Sequence, residues 1–262
     1  MKENYWQNKT AVVTGGSSGI GEALVKKLSS VKCRIINVDR NPATVSSDKA
    51  EIHSVICDLS VPDSVEKASS EIAKITDRVD FLFNNAGITT HGRFDQMNVQ
   101  VFRKTFEVNF FGTIHLTSGL LPLVKKAKGA IMVTSTVSGL YGIPGRSAYS
   151  SSKSALHAVF ESLRIELSEE GIRSIIFCPP YTKTNLRTSG LDAKGEKLQE
   201  EQAKGKIKTP EEVAEEMVKA MENPNSRLVT MDKSGIVVKW LRLFAPAFLE
   251  KILFKKLYND FH

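Results

Sequence analysis

Short apolar runs punctuate the first two-thirds of the chain: Ala11-Val12-Val13, Ile35-Ile36-Asn37-Val38, Phe81-Leu82-Phe83, Ile131-Met132-Val133 and Ile175-Ile176-Phe177. Each is nearly continuous rather than alternating with polar residues, the pattern of parallel strands buried on both faces. Between them lie longer amphipathic stretches, over 19–30, 62–76, 101–128 and 148–170, which predict helices with one buried stripe. Helix starts are marked at Val61-Pro62 and at Thr209-Pro210-Glu211-Glu212. Both place proline in a first turn, and the second adds a threonine cap and acidic residues. Strand alternating with helix implies right-handed βαβ units and a doubly wound parallel sheet flanked by helices. The fold class is therefore α/β, a single domain over residues 1–235 with a helical extension over 236–262. Residues 183–208 are polar, hold Gly190, Gly195 and Gly205, and carry no strand pattern. They are read as a mobile flap near the carboxyl ends of the last strands.

Charge narrows the function classes. The 262 residues carry a formal net charge of +7, with 36 Lys+Arg against 29 Asp+Glu. The excess falls in 183–208 and 233–262, and the remainder is balanced. A nucleic-acid-binding protein carries a basic stripe with aromatic platforms, so no nucleic-acid partner is expected. Cys33, Cys57 and Cys178 are odd in number and far apart. That argues against a disulfide framework or a zinc site and for a reducing, cytoplasmic setting. The N-terminus is polar, and no stretch reads as a membrane span. His53, His91, His115 and His157 are scattered and read as structural, and no metal is expected.

Thr14-Gly15-Gly16-Ser17-Ser18-Gly19-Ile20-Gly21 joins the first strand to the first long helix. Glycines let the backbone turn tightly against a pyrophosphate, and a helix N-terminus offers unpaired N–H groups and a positive dipole. Gly15, Ser17, Ser18, Gly19, Ile20 and Gly21 are the cofactor-binding candidates here. Gly15, Ser17 and Gly19 also match the G-x-S-x-G elbow of hydrolases. Only 16 residues precede Ser17, which leaves no room for the strands and oxyanion loop that an elbow requires. Asp39 ends the second strand. A carboxylate there binds adenosine ribose hydroxyls and repels a 2′-phosphate, which points to NAD, whereas the adjacent Arg40 keeps NADP open. Asp58-Leu59, after the third strand, is read as an adenine-edge contact or as a loop approaching the next helix.

Tyr149 and Lys153 lie four apart on a predicted helix and share one face. A free tyrosine has a pKa of about 10, and a nearby ammonium favours the phenolate, so the pair suits acid–base work. Upstream stand Asn84-Asn85-Ala86-Gly87, Asn109, and Thr134-Ser135-Thr136.

In this order, Thr14-Gly-x-x-x-Gly-x-Gly21, Asn84-Asn-Ala-Gly87, Asn109 and Tyr149-x-x-x-Lys153 resemble the short-chain dehydrogenase/reductase family, over roughly residues 8–231. The resemblance implies a Rossmann-type domain and hydride transfer between a nicotinamide and an alcohol or carbonyl carbon. It implies Tyr149 as general acid/base and Lys153 as the residue that lowers its pKa and holds the nicotinamide ribose. Asn109 would anchor a proton-relaying water. Thr136, 13 residues before Tyr149, would position the substrate oxygen where the family usually has serine. Ser135 beside it should point to the opposite face. Asn85, Ala86 and Gly87, with the loop bearing Pro179, Thr182 and Thr184, complete the implied cofactor site. Pro180 replaces the family's glycine and stiffens that loop. The Asp-Gly-Gly ending of tetrameric members is absent after Leu228-Val229-Thr230-Met231, so a homodimer is expected, through the helices containing Phe110 and Ala155.

The extension holds Trp240, Leu243, Phe244, Phe248, Leu249, Leu253, Leu257 and Phe261 among lysines, and Pro246 should break it into two helices. Two readings stay open: packing over the pocket or a partner subunit, and peripheral contact with an anionic membrane. Both favour a lipophilic substrate, sterol-like or long-chain. A rival function is a catalytically weak dinucleotide-binding regulatory or interaction protein, kept open by Thr136 and Pro180.

Overall fold

In the computed structural model, which describes residues 1–184, 186, 190–198, 207–231 and 233–261, the apolar runs become strands. They are β1 (Thr10–Thr14), β2 (Arg34–Asp39), β3 (Glu51–Ile56), β4 (Phe81–Asn84), β5 (Ala130–Thr134), β6 (Arg173–Cys178) and β7 (Leu228–Thr230). All pair in parallel in one sheet of order β3-β2-β1-β4-β5-β6-β7. β1, β4 and β5 are buried throughout, which is why their sequences do not alternate. β3 lies at an edge and is partly exposed. The order reverses between β1 and β4. Loops leaving their carboxyl ends diverge there and open a crevice, the usual ligand position in such sheets.

The helices are α1 (Glu3–Trp6), α2 (Gly19–Leu28), α3 (Pro62–Ile75), α4 (Val99–Phe106), α5 (Gly112–Ala127), α6 (Ser147–Glu166), α7 (Pro210–Glu222), α8 (Lys233–Phe244) and α9 (Pro246–Phe261). Because strand side chains alternate, the sheet feeds two cores. Val13, Ile35, Phe83, Met132 and Phe177 pack with α2 and α7 on one face. Val12, Ile36, Leu82, Ile131 and Ile176 pack with α3, α5 and α6 on the other.

Three features depart from the sequence reading. The single helix expected over 101–128 is two, joined by a π-helical turn at Glu107–Phe111. The wider turn adds a residue without interrupting the apolar spacing, so periodicity does not reveal it. The N-terminus forms α1, and Trp6 is fully buried beneath the sheet, its indole donating to Glu222 Oε1 at 2.7 Å. Of the expected flap, 185, 187–189 and 199–206 lie outside the described residues. The stretch 190–198 is held in place: Leu191 is buried against Met97, Val101 and Ala148, and its N–H donates to Thr89 O at 3.0 Å.

The extension breaks at Pro246 as expected. Its hairpin leans on the loop after β5, with Arg242 Nη1 donating to Leu140 O at 2.5 Å and Tyr141 donating to Glu250 Oε1 at 3.1 Å. Among the described residues no helix is long and apolar enough to cross a membrane.

Candidate active site

The glycine turn sits at the carboxyl end of β1. Gly15 holds φ +68°, and a Cβ there would lie 2.9 Å from Ala86 Cα. A Cβ on Gly21 would lie 2.0 Å from Gly15 O. Only glycine permits this packing, which closes the turn against the Asn85-Ala86-Gly87 loop. Thr14 Oγ1 fixes that loop by accepting from the N–H groups of Asn85 and Ala86 at 2.9 and 3.0 Å. Ser18 caps α2 with extended backbone, and the first N–H groups of that helix face the turn. Thr184 lies over Gly19, with its Cβ 3.2 Å from where a Gly19 Cβ would stand. Ile20 is partly buried against the α2–α7 core.

Asp39 ends β2 as expected, and its carboxylate accepts from Ser17 N at 3.2 Å and Asn41 N at 3.0 Å. It therefore stands beside the glycine turn, while Arg40 is exposed. Ser17 Oγ is spent elsewhere, donating to Asn41 O and accepting from Asn37 Nδ2. Asp58 is turned into its own loop, accepting from Ser60 N at 2.9 Å and Ser60 Oγ at 2.7 Å. Burial raises its carboxyl, but the Ser60 hydrogen bonds and the charges of Arg40 and Lys104 outweigh burial and leave it below its ordinary value. Its carboxylate is thus a loop cap, and the adjoining Leu59 is buried with its carbonyl against Gly112. Thr182 Oγ1 donates to Pro180 O at 2.9 Å, which folds the loop after Pro179 onto itself.

Tyr149 is the third residue of α6, and Lys153 follows one turn later. Lys153 is buried, its Nζ donating to Thr134 O at 2.9 Å, and a Gly87 Cβ would lie 3.3 Å from that nitrogen. No carboxylate pairs with it among the described residues. Burial pushes Lys153 down to about 8. Burial pushes the Tyr149 phenol up to about 12, opposed by Arg146 and reinforced by Cys178. The expected lowering of Tyr149 by Lys153 is not seen in this arrangement: Arg146 is the cation that acts on the phenol, and desolvation disfavours both charged forms.

Strand alternation separates the two hydroxyls after β5. Thr136 is half-buried and lies 3.2 Å from Ser138 Oγ. Ser135 is buried on the other face, 2.7 Å from His157 Nε2. Burial and the nearby Lys153 push His157 down to about 4, so it is neutral, in keeping with a structural role. Asn109 lies in the π-helical turn, fully buried. Its Oδ1 accepts from Ile88 N at 2.8 Å, and its Nδ2 donates to Ile88 O at 2.9 Å and Ser152 Oγ at 3.1 Å. Its side chain clamps the loop after Gly87 to α6, and its carbonyl accepts from Thr113 Oγ1 at 3.0 Å. Sequence reasoning missed Arg146, which donates to Thr89 Oγ1 at 3.1 Å and acts electrostatically on Tyr149. Its i, i+3 spacing to Tyr149 was the available signal.

An open cavity of about 820 Å³ borders Gly19 and Thr184 and extends along α2 and the start of α7, lined by Lys26, Thr44, Lys183 and Glu211 among others. Neither Tyr149 nor Lys153 lines it. The residues around the crevice itself suit a dinucleotide. Gly15, Gly19 and Gly21 add no side chains beside the N-terminus of α2, Asp39 is an acceptor-only group for a ribose diol, and no carboxylate pairs with the buried Lys153 among the described residues.

A family model described as short chain dehydrogenase matches residues 9–194. Dehydrogenase/reductase SDR family member 7B of Xenopus tropicalis is 34% identical over 259 residues, covering 92% of this chain and 83% of that protein. Its mouse counterpart is 32% identical, covering 95% and 81%. A short-chain dehydrogenase from Streptomyces avermitilis superposes with a TM-score of 0.79 at 24% identity, over 97% of this chain and 98% of that one. Two Burkholderia short-chain dehydrogenases each superpose with a TM-score of 0.80. The B. phymatum structure, in complex with NAD, is 22% identical and covers 95% and 97% of the two chains. The B. cenocepacia structure, in complex with NADP, is 20% identical and covers 94% and 98%.

Proposed function

The chain belongs to the short-chain dehydrogenase/reductase family, and from that premise we propose that it oxidises or reduces a lipophilic secondary alcohol or ketone with NAD. The observation that carries the reading is a buried Lys153 one helical turn after Tyr149, packed against the Gly87 loop at the crevice and, among the described residues, paired with no carboxylate. When bound, a nicotinamide gives or takes the hydride. The chain's own residues then hold, orient and move protons. The glycine turn and the N-terminus of α2 hold the pyrophosphate, and Asp39 holds the adenosine ribose. Asp39 stands at the turn while Arg40 points to solvent, which supports NAD over NADP. Lys153 holds the second ribose and compensates charge on the phenolic oxygen of Tyr149, which exchanges the substrate's hydroxyl proton. Thr136 donates to the substrate oxygen. Both Nδ2 protons of Asn109 are engaged, but its Oδ1 and its backbone carbonyl each accept a single hydrogen bond and keep a lone pair that could hold a relaying water.

The apolar composition of the extension, which Arg242 and Glu250 tie to the segment after Thr136 with Leu249 buried on its inner side, supports a lipophilic substrate. Exposed Phe111, in the π-helical turn next to Phe110, and exposed Ile165, on α6 with Ala155, support a homodimer through the helices containing Phe110 and Ala155. The test is fluorescence titration with NADH and NADPH, followed by turnover of a panel of apolar ketones and small polar sugars. Tyr149→Phe should lower kcat by roughly 10²–10⁴-fold while cofactor affinity stays nearly unchanged. Near-normal turnover by that variant overturns the acid/base assignment, tighter NADPH overturns the cofactor assignment, and preference for sugars overturns the substrate class. Tight dinucleotide binding with no turnover across the panel would favour a regulatory protein on this fold.

A further inference from the structure

The α8–α9 hairpin has two sides of opposite character. Inward, Leu249 is buried, and Arg242 and Glu250 tie the hairpin to Leu140 and Tyr141. Outward, Trp240, Leu243, Phe244, Phe248, Phe254 and Tyr258 are all large, and each is between 45% and 73% exposed. Positions 240, 243 and 244 fall on one stripe of α8, where the Trp240 and Phe244 rings stack at 5.3 Å. Phe254 and Tyr258 pair edge-on at 5.3 Å on α9. Exposed lysines, Lys239, Lys251, Lys255 and Lys256, lie among them. The one carboxylate among the described side chains of the hairpin, Glu250, is engaged by Tyr141.

We propose that this face docks on an anionic lipid surface, with the aromatic side chains entering the headgroup boundary and the lysines meeting lipid charge. Apolar surface of this extent is unusual on a soluble monomer, and the interleaving of aromatics with lysines fits an interfacial helix. A second copy of the chain is a poorer occupant. A two-fold contact sets the same patch against itself and would bring lysines together with no free carboxylate among the hairpin's described side chains to meet them. Docking itself does not depend on the oxidoreductase reading. Its consequence does: through Arg242 and Tyr141 the docked hairpin would hold the segment after Thr136 close to the lipid, so substrate would enter from that phase.

The experiment is sedimentation of the full-length chain with vesicles of phosphatidylcholine alone and with about one-third phosphatidylserine. Wild type should bind the anionic vesicles and not the neutral ones. Lys251→Ala/Lys255→Ala/Lys256→Ala should weaken partitioning by about 100-fold, from roughly fivefold per lysine. Trp240→Glu/Phe244→Glu should abolish it while the thermal unfolding midpoint is retained. Tyr149→Phe should bind vesicles as wild type does, which separates docking from catalysis. Equal binding to both vesicle types, undiminished binding by the Trp240/Phe244 variant, or a dimer that this variant dissociates without any vesicle binding would each overturn the proposal.

Discussion

At Lys153, burial lowers the pKa from 10.5 to about 8. Between those values the unfolded chain keeps a proton that the native lysine has lost, so stability rises with pH across pH 8–10.5. Below pH 8 the buried ammonium is a net destabilisation. Lys153→Met is therefore expected to raise stability at pH 7 by about 2–3 kcal/mol while removing turnover, and the gain should shrink toward pH 10.5. Denaturant titrations at pH 7 and pH 9.5 check this, and a variant less stable than wild type at pH 7 contradicts it. The hydroxyls after β5 give a second contrast. Thr136→Val should lower kcat/KM by roughly 10²–10³-fold with little change in stability. Ser135→Ala should cost about 1–3 kcal/mol by stranding His157, with kcat affected less than in Thr136→Val. Tyr149, Lys153 and Thr136 were legible because one helical turn and one strand alternation suffice to place them. Arg146 was within reach of the same local spacing, whereas the Ser135–His157 pair and the Asn109 clamp were not legible, because each depends on how α6 crosses the sheet, which local spacing does not encode.

Among the elements, the capping signal Thr209-Pro-Glu-Glu212 forms as written: Thr209 Oγ1 accepts from Glu212 N at 3.2 Å, and Thr209 N donates to Glu212 Oε2 at 2.9 Å. Thr209→Ala is expected to lower global stability by about 1 kcal/mol, measured by denaturant unfolding, without loss of cofactor affinity. Gly21→Ala should do the opposite. Its Cβ would collide with Gly15 O, so the turn must shift, and NADH affinity should fall at least about tenfold (about 1.4 kcal/mol) in calorimetric titration. The central strands were legible because burial on both faces leaves continuous apolar runs. The break at Glu107–Phe111 was hidden because a π-helical turn preserves the amphipathic pattern around it, and α1 was hidden because four residues are too few to show a period.

For the whole molecule, a doubly wound parallel sheet followed from the alternation of runs and amphipathic stretches, whereas the strand order with its reversal between β1 and β4, and the orientation of the extension, emerged only in the fold. Pro246 marks where the extension bends, but contacts about a hundred residues away in sequence, Arg242 with Leu140 and Glu250 with Tyr141, decide where it lies. Association is a property at this scale. Phe111 and Ile165 are 53% and 76% exposed, and sedimentation velocity should show a dimer that Phe111→Glu/Ile165→Glu converts to monomer. A wild-type monomer would remove that surface from consideration. The distribution of indole rings has a practical consequence. The chain has two tryptophans, one sealed beneath the sheet and the other on the outer stripe of α8. The first should emit in the blue and resist iodide quenching until the chain unfolds, whereas the second should emit in the red and be quenched readily. A single unlabelled sample therefore carries separate optical reporters for the integrity of its interior and for whatever approaches its outermost helix.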